Sequence, residues 1–208
     1  MIMPEPNEQT VLFIRALKRG ERRSCLDLLE QYGELIDVLA NDSLLPRLDH
    51  DYTNSYVRGG SQIIIAAEYP NNEEIIQKLI DRGANVNDRN WNGLTALMMA
   101  AIHNHVSNLE VLVSNGANIH ARIDNYFATA ILYASLHNSI DAMKYLMTVG
   151  ANVYDQTRLG STCYNVTYNV DTKAVIEKWS LTMSIIMFEE LNIYNVAFDS
   201  LFDLYAFI

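Results

Sequence analysis

The chain has 208 residues, half of them hydrophobic, with 15 Lys and Arg against 25 Asp and Glu and a formal net charge of −10. That length bounds it to one domain or one continuous solenoid with ample material for a core. The acidic balance lacks the basic footprint that nucleic-acid binding needs, so a nucleic-acid partner is excluded and a basic or neutral protein partner is favoured.

From the N-terminus, residues 1–9 read as a flexible lead with neither a basic n-region nor an apolar h-region, so no secretory signal is visible. Residues 10–18 carry Val11, Leu12, Ile14, Ala16 and Leu17 and are a predicted helix. Arg19-Gly20-Glu21 breaks it, and residues 24–32, with Leu26, Leu28 and Leu29, form a second helix closed by Gly33. Residues 1–33 are therefore expected to be a capping helix pair with a more polar outer face. The cluster of Lys18, Arg19, Arg22 and Arg23 reads as the solvated side of that cap, or else as a seat for an acidic partner. Residues 34–59 contain Pro46, Asn54 and Gly59 and read as an insertion or loop, either passive or part of a binding face.

The stretch that follows is periodic. Gly83-Ala84-Asn85-Val86-Asn87 recurs as Gly116-Ala117-Asn118-Ile119-His120 and as Gly150-Ala151-Asn152-Val153-Tyr154, about 33 residues apart, the mark of stacked repeats. In the two clearest copies, Asn90 or Asp124 opens an Asx-type turn, and Thr95 or Thr129 is placed to cap a short helix. Ala100, Ala101 and Ala134 keep that helix thin. Breaks at Asn104-His105 and Asn138-Ser139 precede a second helix bearing Leu109 and Leu112, or Met143 and Leu146, and Gly116 and Gly150 end it. An earlier copy spans residues 63–67 and 73–82. A later one opens at Thr157-Arg158-Leu159-Gly160 and places its second helix at about 172–179.

This wording resembles the ankyrin repeat over residues 60–178. Asn90, Gly93, Thr95, Leu97, Ala100, Ala101, His105, Gly116, Ala117 and Asn118 carry the likeness. Ala96, Ala130 and Cys163 stand where the family has Pro. Met98, Leu132 and Asn165 stand where it has His, which removes the usual Thr–His hydrogen bond, and Phe127 replaces a turn glycine. The resemblance implies an all-α ankyrin-repeat solenoid of helix-turn-helix units joined by β-turn loops, with helical caps at both ends. It divides the chain into 1–33, 34–59, four repeats at 60–179, and a cap at 180–208.

The resemblance also implies a concave face lined by turn tips and first helices. The positions expected to point into it are Arg58, Ser61, Trp91, Asn92, Leu94, Ile102, His103, Asn125, Tyr126, Leu136, His137, Arg158 and Ser161. Aromatic residues and arginine are the side chains most enriched among interface hot spots. Residues 79–87 are similar to ankyrin segments in which a cellular oxygenase hydroxylates asparagine, which makes Asn87 a modification candidate.

Residues 180–208 are apolar, with Leu181, Met183, Ile185, Ile186, Phe198, Leu201 and Phe202 among them. Interspersed Glu189, Glu190, Asp199 and Asp203 exclude a membrane span. The segment is expected to cover the last repeat, or alternatively to recruit a second protein such as a ubiquitin-ligase subunit. Cys25 and Cys163 are too few for a disulfide framework and fit a reduced setting. No phosphate loop or nucleophile setting is present, and the His103–His105 spacing is at most half a metal site. The expectation is a non-enzymatic, cofactor-free, monomeric protein-binding module with no metal and no membrane. Its place is inside a cell: the cytoplasm, or a host's cytoplasm for a viral protein or effector.

Overall fold

The computed structural model describes residues 8–32, 61–90 and 92–193, with side chains described as far as residue 186. All regular structure among them is helical: α1 (Glu8–Lys18), α2 (Arg22–Tyr32), α3 (Gln62–Glu68), α4 (Glu73–Asp81), α5 (Ala96–Ile102), α6 (Val106–Ser114), α7 (Ala130–Leu136), α8 (Ile140–Thr148), α9 (Cys163–Val166) and α10 (Val170–Ile193). The insertion expected at 34–59 lies outside the described residues.

The helices pair into antiparallel hairpins, and the hairpins stack. First helices pack in the row α1, α3, α5, α7, α9, and second helices in the row α2, α4, α6, α8, α10. The α3/α4, α5/α6, α7/α8 and α9/α10 hairpins are numbered here as repeats one to four. The α1/α2 pair stacks on repeat one, through α1 against α3 and α2 against α4. The reason is visible in α5. All seven of its residues are buried, because α3 lies on one side and α7 on the other. Ala100, Ala101 and Ala134 are fully buried and leave room for close backbone approach. A hairpin alone would expose one of these faces, so each repeat depends on its neighbours.

The turns follow from left-handed residues. Gly83, Gly116 and Gly150 take φ of 93°, 84° and 99°. The following alanine N–H groups reach back to the carbonyls of Leu79, Leu112 and Leu146 at 2.9–3.0 Å, closing each second helix in a Schellman-type stop. The first helices of repeats two and three end the same way on asparagine, at Asn104 (φ 59°) and Asn138 (φ 57°).

Three local expectations change. Thr95 caps α5 by accepting from the Met98 N–H at 3.3 Å, but Thr129 makes no cap bond despite an extended backbone, and its buried hydroxyl oxygen has no partner. Asn90 Oδ1 closes its turn by accepting from the Asn92 and Leu94 N–H groups, whereas the Asp124 turn is closed by backbone. There Phe127 N–H donates to Ile123 C=O, with Phe127 itself at φ 55°. In the fourth repeat α9 is a single turn, and α10 starts at Val170 and continues unbroken past residue 180 to Ile193. Asn169 sets that start by accepting from the Thr172 N–H at 3.0 Å.

Candidate protein-interaction face

The turn tips before α5, α7 and α9 are tied to one another, so their exposed side chains form one row. Arg89 donates to the Arg122 carbonyl at 2.7 Å, and Arg122 pairs with Asp155 at 2.8 Å. The Arg158 N–H donates to the Tyr126 carbonyl at 2.9 Å. At the next position of the tips, the Asn87 amide bridges two repeats. Its Nδ2 donates to the Gly116 carbonyl and its Oδ1 accepts from the Asn118 N–H at 2.7 Å.

On this scaffold Asn92, Asn125, Tyr126 and Arg158 are exposed at the tips, and Leu136 and His137 are exposed at the end of α7. Tyr126 is 66% exposed and Leu136 51%, large values for apolar surface that no packing demands. His103, Ser61 and Ser161 are half-buried. Two expected positions are corrected. Ile102 is only 6% exposed, because it is the last residue of the enclosed α5. Leu94 is buried beneath the Asn90 turn and is a core residue. Arg58 and Trp91 lie outside the described residues.

Sequence reasoning did not place Phe127, Tyr154 and Leu159 on this edge, and all three are exposed there. Phe127 carried a signal, a bulky residue where the family uses a turn glycine. Tyr154 replaces the asparagine that Asn87 represents in the first copy. Leu159 carried none beyond its neighbour Arg158.

Three imidazoles gather where the first helices end. The His103 and His105 rings stack with centroids 5.9 Å apart and planes 19° apart. His105 Nε2 lies 3.0 Å from the Glu68 carbonyl, which can only accept, so that nitrogen carries the proton. Desolvation lowers the half-buried His103 and His105 from the ordinary imidazole value, and partial desolvation of its ring moves His137 the same way although the residue as a whole is exposed. Among the described residues, no group of three or more His, Cys, Asp or Glu is placed to hold a metal ion, and no helix is long and apolar enough to cross a membrane.

Residues 63–157 match the family model described as ankyrin repeats (3 copies). That stretch is a run of ankyrin repeats. The matched stretch spans repeats one to three and stops at the fourth tip, so α1, α2, α9 and α10 join the ankyrin stack from outside it. Ankyrin repeats generally mediate protein–protein interaction and are generally non-catalytic modules.

Proposed function

We propose that this chain is a non-catalytic scaffold that holds a protein partner on the face made by its turn tips and first helices. The exposed row Asn92, Asn125, Tyr126, Leu136, His137 and Arg158 supports this reading, because it crosses three successive hairpins whose tips are bonded together. The sequence-based expectation adds Arg58 and Trp91, which lie outside the described residues. His103 takes part from its half-buried place. The chain acts as a monomer, without cofactor or nucleic acid, in the cytoplasm or a host's cytoplasm. The test is affinity capture from the native host with wild type and with a Tyr126→Ala, Leu136→Ala variant. Both substitutions are at exposed sites and should leave the helical circular dichroism intact. Loss of the captured partner is expected. Undiminished capture by the folded variant rejects the reading.

A second reading rests on a separate observation. Leu181, Met183, Ile185 and Ile186 are 61, 40, 58 and 41% exposed on α10, too open for a segment that only covers the last repeat. In this reading the C-terminal segment recruits a second protein while the repeats select the first. Removing residues 180–208 distinguishes the two: an adaptor loses one partner and stays folded, whereas loss of a mere cap unfolds the stack. Asn87 hydroxylation is a further proposal. Mass spectrometry of protein from the native host reads it as an added oxygen on the peptide containing that residue.

A further inference from the structure

We propose that His103, His105 and His137 form an acid-operated switch that loosens the stack around repeat two when the imidazoles take up protons. The three lie on successive structural steps. His105 opens α6 and donates back to the Glu68 carbonyl of repeat one, His103 ends α5 in repeat two, and His137 ends α7 at the same register 34 residues later. His103 is the centre of the group. Its ring stacks on His105, and its Nε2 is buried with no hydrogen-bond partner. A charged His103 would carry an N–H there with nothing to accept it, beside a second ring able to charge as well. Such a group is expensive to ionise in place.

At His103 the charged neighbours do not reverse the direction that burial sets. The helices packed against α5 bear Glu68 on α3, Glu110 on α6, and Asp141 and Lys144 on α8. Asp141 is already engaged by Asn104 at 3.3 Å and by Lys144 at 3.9 Å. On α4, which packs against α6, Glu73 and Glu74 meet Arg22, Lys78 meets Glu30, and Asp81 accepts from Gln77. Other titratable side chains on or beside these helices include Tyr69 after α3, Tyr133 on α7, Tyr145 on α8, and Cys163 and Tyr164 on α9, of types that are neutral near pH 7. Helix C-termini favour a cation, which works for protonation of His103 and His137. At His103 burial is the largest cause, followed by the charges of His105 and His137, and all three work against protonation.

The sign follows by linkage. Above the unfolded imidazole value, both states are neutral and the stack keeps its full stability. As pH falls below it, the unfolded chain binds protons that the folded stack refuses, so stability is lost. Because each repeat is held only by its neighbours, the loss should concentrate at repeats one to three rather than spread evenly.

The test is hydrogen exchange by mass spectrometry at pH 7.5 and 5.5, corrected for intrinsic rates. It uses the full chain and a His103→Gln, His137→Gln variant, with no partner present. Opening of α5–α8 in the wild type should rise by about tenfold at the lower pH, the gain from one imidazole of ordinary basicity that takes a proton only in the opened chain at pH 5.5. In the variant it should change by less than about twofold. An unchanged wild type, or an equal rise in the variant, overturns the switch. Should the variant not fold, the wild-type imidazole NMR titrations decide: His103 titrating at or above 6.5 overturns it, and titrating below supports it. As no partner is involved, failure of the proposed binding face leaves this result standing.

Discussion

Asn104 and Asn138 sit in left-handed backbone where the family's wording has glycine, and each draws a return from its side chain that glycine could not. Asn104 Oδ1 accepts from the Ala142 N–H at 2.8 Å, and Asn138 Oδ1 accepts from the Thr167 and Thr172 hydroxyls, so both turns are stitched to the next repeat. Buried Asn108 does the same in the other direction, accepting from the Asn72 N–H and donating to the Tyr69 carbonyl at 2.8 Å. The two capping threonines differ in the opposite sense. Thr95→Val removes a cap bond and should lower stability by about 1 kcal/mol. Thr129→Val removes a buried hydroxyl that bonds nothing, and should be neutral or stabilising by up to about 1 kcal/mol. Urea unfolding of the two variants side by side reads the difference. The missing family histidine at Leu132 was legible in the residues, and so was the loss of a Thr–His bond. That Thr95 nevertheless finds a backbone donor and Thr129 does not is a matter of local geometry that residue types alone do not carry.

The turn tips and α10 decide matters at the scale of elements. Gly93 has φ of 80°, and a Cβ there would lie 3.3 Å from Ile123 Cγ2 of the neighbouring tip. Gly93→Ala therefore combines backbone strain with a tight contact and should cost about 1–2 kcal/mol, measurable as a lowered urea midpoint with unchanged slope. The opposite holds on α10. Leu181→Gln and Ile185→Gln alter exposed side chains and should change stability by no more than about 0.5 kcal/mol. A larger loss in thermal melts would mean that this face is covered. The period-33 wording announced the hairpins and their order, and the expected bounds of α1 to α4 agree to within about two residues. It could not announce that α10 runs through residue 180. The apolar run there has no glycine or proline to stop a helix, and composition alone does not say which side of it meets a neighbour.

Across the whole molecule, burial sets the chemistry of the two thiols. Cys25 and Cys163 are almost wholly enclosed, and burial first, with Glu21 or Asp155 adding to it, pushes each thiol up to about 12. Neither should react with an alkylating agent at pH 8 in the folded chain, and both should react once it is unfolded in urea, as read by intact mass. The thiols' contribution to stability is present below their ordinary value near 9 and is lost as pH rises toward 12, so a stability profile should fall in that alkaline window.

Glycine, alanine and asparagine at a fixed interval were enough to determine that this chain builds thin helical hairpins in series, because those residues act through backbone sterics and close approach, which are local. Which side chains remain available was decided only by stacking. Ile102 and Leu94 were expected at the surface and are enclosed, since the neighbouring hairpin covers them. Phe127 and Leu159 stay open at the turn tips, where no neighbouring hairpin encloses them. The three imidazoles come together for the same reason: a repeat of 34 residues returns His137 to the register of His103, and only the packed stack turns that sequence distance into a shared environment.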